Sequence, residues 1–103
     1  LPELPAARKA RYAAMGLGDY DVQELTADPA TGPWFERLAA AHGDAKTAAN
    51  WVLGEVRATL KEVDTTIDRF ALAPERLAAL LDLVRDGAVS TTAAALIVCQ
   101  LAP

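Results

Sequence analysis

The feature that most constrains this chain is residues 44–63, where apolar side chains recur at the spacing of one helix face. A helix of this length spans about 30 Å at 1.5 Å per residue, so its apolar stripe must pack against several other elements. Asp44 precedes the stripe and is predicted to cap the first turn. The stripe consists of Ala45, Ala48, Val52, Val56, Leu60 and Val63, and the opposite face carries Lys46, Asn50, Gly54, Arg57 and Lys61.

The rest of the chain also favours helices. No Asn-Gly or Asp-Gly turn separates alternating apolar runs, and β-branched residues do not cluster into strands. The pattern predicts an all-α fold, a small bundle of about five to six short helices. We expect helices at about 5–15, 19–27, 33–42, 44–63, 74–85 and 91–101. We expect one helical domain over 1–103, with entry helices in 1–43 and a second group in 44–103.

Several helix ends have local signals. Asp21 and Glu24 have the spacing of a capping box. The Gly32-Pro33 pair would interrupt a helix begun earlier, so the third helix is predicted to begin at Pro33. Ser90 is predicted to cap the last helix.

Composition limits the class of protein. A chain of 103 residues has room for one core, and a charged fraction of 23% argues against disorder. No apolar run approaches the roughly 20 residues of a membrane span, and no signal peptide pattern is present. Because the chain has one cysteine and begins at Leu1 rather than Met, we expect a piece of a longer cytoplasmic protein.

The residues available for catalysis are few. The only histidine, His42, is predicted to sit at a helix C-terminus, where its partial positive charge complements the helix dipole. The only cysteine, Cys99, is predicted to be a buried and inert thiol. Asp82 and Asp86 are expected to lie on a solvated helix surface. We therefore predict no catalytic, cofactor-binding or metal site in this chain.

Two basic clusters are candidates for binding. The first is Arg8, Lys9 and Arg11, and the second is the polar face that contains Lys46, Arg57 and Lys61. Each is most simply a solvated helix face. Each would also suit phosphate contacts, because cationic side chains release the counterions condensed on a nucleic acid. The net charge of −4 disfavours a free-standing nucleic-acid binder, although a local patch can outweigh it.

Four stretches carry a family resemblance. The first reads Leu-Pro-Glu-Leu-Pro-Ala-Ala-Arg-Lys-Ala-Arg-Tyr at 1–12, and the second combines Gly-Leu, Tyr-Asp and Leu-Thr-Ala-Asp within 16–28 with Trp-Phe-Glu at 34–36. The third reads Ala-Ala-Asn-Trp-Val-Leu-Gly-Glu at 48–55. The fourth combines Pro-Glu-Arg-Leu at 74–77 with Asp-Gly-Ala-Val-Ser at 86–90. Together they resemble the B subunits of the tRNA-dependent aspartyl/glutamyl-tRNA amidotransferases, the GatB family. The last third is similar to the GatB/YqeY region of that family.

The resemblance implies a role in the GatCAB complex, with GatA and GatC as partner subunits. That complex converts glutamate or aspartate misloaded on glutamine or asparagine tRNA into the amide, using ATP and ammonia from glutamine. The family's kinase site, with ATP and Mg²⁺, lies in a cradle domain ahead of this segment, and glutamine hydrolysis belongs to GatA. The segment is similar to the helical domain that contacts tRNA, which implies no membrane or DNA partner, no cofactor of its own and no catalysis by this piece alone.

The resemblance turns the basic clusters into predicted tRNA contacts, first Lys46, Arg57 and Lys61, then Arg8, Lys9 and Arg11. Asn50 is interpreted as a structural hydrogen-bond partner rather than a polar reader of bases. Trp51 is interpreted as a core anchor rather than a stacking platform. The alternative is a rigid spacer or protein-interaction module with no direct tRNA contact.

The sequence also departs from the family pattern. Residues 91–94 read Thr-Thr-Ala-Ala where relatives carry lysines, which weakens any tRNA contact by the last helix. Gly32-Pro33 interrupts a segment that is usually helical, and the family's tail is expected to be absent after Pro103.

Overall fold

A computed structural model of the chain describes residues 4–101, and the opening Leu-Pro-Glu of the sequence lies outside the described residues. Within this range the fold is all-α, as predicted, with six helices and no strand. The helices are α1 (Pro5–Ala14), α2 (Asp19–Thr26), α3 (Thr31–His42), α4 (45–62), α5 (Pro74–Arg85) and α6 (Thr91–Leu101), and a short 3₁₀ helix at Ile67–Arg69 lies between α4 and α5. No helix within residues 4–101 is long and apolar enough to cross a membrane.

The core is built around α3, which packs against α4 and α5 and also contacts α2. Trp34, Phe35 and Leu38 are all buried and form the apolar face of this helix. The ring of Phe35 meets the ring of Tyr12 from α1 edge to face, with centroids 5.1 Å apart. This geometry is favoured because the positive edge of one ring faces the negative face of the other.

Helix α4 contains an irregularity that its sequence pattern does not predict. It is α-helical over Ala45–Trp51, π-helical over Val52–Val56 and α-helical again over Arg57–Glu62. The N–H of Arg57 donates to the carbonyl of Val52, five residues back. Such a turn adds one residue to the helix and rotates the residues after it by roughly 100° relative to a uniform α-helix. Thr59 is accordingly buried, whereas Leu60 from the predicted stripe is only half-buried.

One predicted helix start and one predicted helix cap are wrong. Helix α3 begins at Thr31 rather than Pro33, because Gly32 and Pro33 fall in its first turn, where a missing N–H costs no intrahelical bond. The capping box at Asp21 and Glu24 does not form: α2 begins at Asp19 without a side-chain cap. The two other predicted caps are confirmed. Asp44 accepts hydrogen bonds from the N–H groups of residues 46 and 47, at 3.1 and 3.3 Å, and Ser90 Oγ accepts one from residue 93 at 3.1 Å.

Burial of Cys99 is also a wrong prediction, since its side chain is exposed. Helix α6 turns Ala94 and Val98 inward, and the residue after Val98 points about 100° away from that line. The sulfur of Cys99 lies 3.7 Å from the hydroxyl oxygen of Thr59 at the edge of the core. Leu96 is 60% exposed on the outer side of the same helix.

His42 is the last residue of α3, as predicted, but it has a partner that the sequence did not reveal. Its Nδ1 lies 2.6 Å from the Oδ1 atom of Asp82 on α5. The histidine side chain is 2% exposed and the aspartate side chain 40% exposed. Asp82 thus lies at the helix surface, as expected, but it also joins α5 to the end of α3.

Replacing Trp51 by alanine is predicted to lower the free energy of unfolding by about 3–5 kcal/mol. Trp51 is 7% exposed and belongs to the core cluster, so its loss leaves a cavity. Urea denaturation followed by circular dichroism measures the change, and alanine at Tyr20, an aromatic side chain that is 68% exposed, is the control. An unchanged stability in the Trp51→Ala variant would contradict the assignment of this side chain to the core.

Candidate nucleic-acid interface

The outer face of α4 presents two lysines to solvent. Lys46 and Lys61 are exposed, and neither forms an ion pair with any residue in the described range 4–101. They are fifteen positions apart, which places them roughly 20 Å apart along the helix. Both ammonium groups are free to meet an anionic surface, but they are too far apart to contact one phosphate together.

Arg57 belongs to the same predicted face but lies in a different environment. Its Nη1 atom donates to Oε1 of Glu24 on α2 at 2.9 Å, and both side chains are partly exposed. The π-turn ends immediately before Arg57 and rotates it away from the line of Lys46 and Asn50. The predicted polar face is therefore exposed along its length, but it bends toward α2 at its C-terminal half.

Asn50 and Trp51 are consecutive residues of α4 and point about 100° apart around its axis. Asn50 is exposed, and its side chain has no hydrogen bond to another part of the chain that the structure describes. Trp51 is buried in the core. For Asn50, hydrogen bonding to an RNA base and a structural role both stay predictions. Trp51 has little ring surface available for stacking on a base.

Two residues of the first basic cluster, Arg8 and Arg11, lie beside the carboxylate of Glu36. The hydroxyl of Tyr12 donates to Oε2 of Glu36 at 2.8 Å, Nη1 of Arg11 lies 3.0 Å from Oε1, and Nε of Arg8 lies 3.9 Å from Oε2. Gly32 lets this cluster close, because a Cβ atom there would lie 2.9 Å from the Tyr12 oxygen. The two arginines thus join α1 to α3.

The protonation of this cluster follows from its contacts. Burial raises the pKa of Glu36, but hydrogen bonds from Arg11 and Tyr12 and the charges of both arginines outweigh it and hold that pKa below its usual 4.5. Burial, followed by the hydrogen bond and charge of Glu36, raises the pKa of Tyr12 well above its ordinary range. The carboxylate therefore stays ionised and the phenol stays a hydrogen-bond donor at neutral pH.

Lys9 lies apart from Arg8 and Arg11. It is exposed and borders a shallow groove with Asp19 and Val22. The structure thus separates the predicted contacts into two groups. Lys9, Lys46 and Lys61 point into solvent without an ion pair to the described residues, whereas Arg8, Arg11 and Arg57 each face a carboxylate from another helix.

Sequence reasoning missed the long-range ion pairs that join the helices. Besides the contact of His42 with Asp82, Arg37 on α3 donates two hydrogen bonds to Glu75 on α5, at 2.9 and 2.7 Å. The partners are 38 residues apart, and no local spacing rule connects residues at that distance. Within residues 4–101, no three His, Cys, Asp or Glu side chains converge to hold a metal ion.

Replacing Glu36 by glutamine is predicted to lower the melting temperature most at neutral pH. A carboxylate whose folded pKa is depressed stabilises the fold above its unfolded pKa and loses that contribution as the pH falls through the folded pKa. The difference in melting temperature between the native chain and the Glu36→Gln variant should therefore decrease below about pH 4.5. Thermal melts from neutral to acid pH test this, with Glu62→Gln on the exposed side of α4 as the control, and a gap independent of pH would contradict it.

The amino-acid sequence of the chain is similar to that of known proteins. Residues 33–102 match the GatB domain. The B subunit of an aspartyl/glutamyl-tRNA(Asn/Gln) amidotransferase from Chlorobium phaeobacteroides (strain BS1) is 45% identical over 95 residues, which are 91% of this chain and 20% of that protein. The protein of the same name from Streptococcus pneumoniae (strain Hungary19A-6) is 40% identical over 103 residues, which are 99% of this chain and 22% of that protein.

The chain thus spans about a fifth of the length of these curated relatives. The resemblance read from the sequence is confirmed, since the matched region covers well over half of the chain. The chain belongs to the GatB domain family.

Proposed function

We propose that this domain positions tRNA, without catalysing a reaction itself, in a glutamine-dependent aspartyl/glutamyl-tRNA amidotransferase. The observation that carries the proposal is the similarity of nearly the whole chain to subunits whose name contains their tRNA substrate. In this proposal the reaction on misacylated glutamine or asparagine tRNA takes place in other parts of the assembly. The domain supplies a surface that holds the tRNA body in place.

Charge and exposure select the contact surface within the domain. A phosphate contact needs a cation that reaches solvent, and Lys46 and Lys61 meet that condition on the outer face of α4. An ammonium group on a flexible stem adapts to a phosphate as a point charge. Lys9 on α1 is a further contact, because it too is exposed.

Arg8 and Arg11 are weaker candidates because both already face the carboxylate of Glu36. Turning Arg8 or Arg11 toward a phosphate would leave the partly buried Glu36 with fewer partners. The arginine would then gain a contact with the RNA, but the carboxylate of Glu36 would lose the ion pair that stabilises it. Of the six predicted contacts, the lysines of α4 therefore carry the proposal.

Partners and cofactors follow from the same family. We infer that GatA and GatC are the partner subunits, and that the ATP and Mg²⁺ used by the assembly bind outside this domain. The inferred location is cytoplasmic, where aminoacylated tRNA is available.

A second candidate function is a spacer or protein-interaction module. The net charge of −4 favours it, and so does the outer side of α6, a helix without a charged residue that leaves Leu96 and Leu101 exposed. In that case tRNA would be held by other parts of the protein.

Fluorescence-anisotropy titration of the chain against an unmodified glutamine tRNA, at two salt concentrations, separates the two functions. We predict weak binding that falls as salt rises, by roughly 0.7–0.9 log unit per log unit of salt for each phosphate contact. Replacing Lys46 and Lys61 together by alanine should weaken binding and flatten the dependence on salt by about two such contacts.

The single variants Lys46→Ala and Lys61→Ala are matched by Lys9→Ala, which removes one positive charge from α1 and should weaken binding less than either. Circular dichroism verifies that each variant is folded. No binding of tRNA by the folded chain at high micromolar concentration would refute the positioning role and favour the spacer.

A further inference from the structure

A groove opens beside α4 at the point where its π-turn ends. It lies between α2, α4 and the segment after α4, and its volume is about 240 Å³. Among its lining residues Val52 and Ile67 are buried and Leu60 is half-buried, so these apolar side chains form its floor. Glu24, Asp28 and Arg57 are more exposed and form its rim, and three threonines also line it. We call it the α2–α4 groove.

The charged groups on the rim retain hydrogen-bonding capacity. Arg57 uses one N–H in its contact with Oε1 of Glu24 at 2.9 Å, and a guanidinium has several more donors. Oε2 of Glu24 is available as an acceptor. Asp28 uses Oδ1 to accept the N–H of Ala30 at 2.9 Å, which leaves its other oxygen. The rim therefore presents a cationic donor beside two carboxylate acceptors.

This combination matches the parts of a nucleotide. The guanidinium suits a phosphate, and an apolar floor suits the flat face of an unstacked base. The carboxylates select the base, because they accept hydrogen bonds from an exocyclic amino group and repel a carbonyl oxygen in the same place. Cytosine, adenine and guanine carry such an amino group, whereas uracil does not.

The groove is also continuous with the proposed tRNA surface. Lys61 lies four positions after Arg57, one turn along the same face of α4. A strand whose phosphates meet these two residues would pass over the mouth of the groove, where a splayed base can enter. RNA recognition by sequence commonly uses such unpaired bases.

We propose that the α2–α4 groove binds one unpaired RNA nucleotide whose base carries an exocyclic amino group, with Arg57 at the phosphate and Glu24 and Asp28 at the amino group. This inference rests on the proposed function, since it names the part of the RNA that the domain reads. It separates two roles on one helix: Lys46 and Lys61 hold the backbone, and the groove recognises a base.

Nuclear magnetic resonance titration of the isotope-labelled chain with the trinucleotides CpCpC and UpUpU tests the groove, because their bases differ where the carboxylates would act. We expect shifts of backbone amides around Glu24, Arg57 and Ile67, and binding of CpCpC about five-fold tighter than UpUpU. Equal affinities, or shifts confined to other parts of the chain at millimolar trinucleotide, overturn the proposal.

The Glu24→Gln variant provides the sharper test. A glutamine side chain both accepts and donates, so the ratio of the two affinities should fall toward one. Asp28→Asn should also lower the ratio. The amide oxygen of the asparagine still accepts the N–H of Ala30, so a donor replaces the second carboxylate oxygen that would accept the amino group of the base. Glu62→Gln removes the same charge from the exposed side of α4 and should strengthen both complexes while it preserves the ratio.

The outcomes distinguish this proposal from the positioning role. If both groove variants are folded and keep the preference of the native chain for CpCpC, the groove does not read the base. If the chain binds tRNA in a salt-dependent way but shows no preference between the trinucleotides, the groove proposal fails and the positioning role stands. If the chain binds no tRNA at all, the positioning role fails.

Discussion

The buried face of α3 is the constraint on which most of the domain depends. Phe35 packs on the ring of Tyr12 from α1, Trp34 lies 6.0 Å from the ring of Phe70 in the segment before α5, and His42 reaches Asp82 on α5. These side chains fix three neighbouring elements from one helix. Because the packing is tight, a change in the length or start of α3 would displace all of its neighbours together.

Within residues 4–101, ion pairs engage five of the seven arginines and none of the three lysines. Five arginines join carboxylates, and the contact between Arg37 and Glu75 uses two parallel hydrogen bonds. The planar guanidinium is suited to such pairing, whereas an ammonium on a long stem loses more freedom when it is fixed. The three lysines of the sequence, by contrast, reach solvent. Arg8, Arg11, Arg37 and Arg57 thus join one helix to another, and the three lysines remain available to an anionic partner.

Local rules predicted much of the fold. The spacing of apolar residues predicted α4 to α6 within one or two residues, and the caps at Asp44 and Ser90 formed as expected. The π-turn was missed, because a regular apolar stripe also fits a uniform helix and the burial of Thr59 becomes visible only in the packed structure. The start of α3 was missed because glycine and proline break a helix interior but are tolerated in the first turn.

The candidate site was less predictable than the fold. Exposure of Lys46, Asn50 and Lys61 follows from their position opposite the apolar stripe. The partners of Arg8, Arg11 and Arg57 lie on other helices, and such contacts depend on how helices are arranged in space rather than on spacing along the chain. The α2–α4 groove has the same origin, because its rim combines two helices and a connecting segment.

The most direct test of this account is the protection of lysines from acetylation when tRNA is bound. The chain has three lysines, Lys9, Lys46 and Lys61, and mass spectrometry measures the modification of each in the same sample. We predict that saturating tRNA protects Lys46 and Lys61 strongly and Lys9 less. Equal modification of all three with and without tRNA, or protection of Lys9 alone, would contradict the assignment of the tRNA surface to α4.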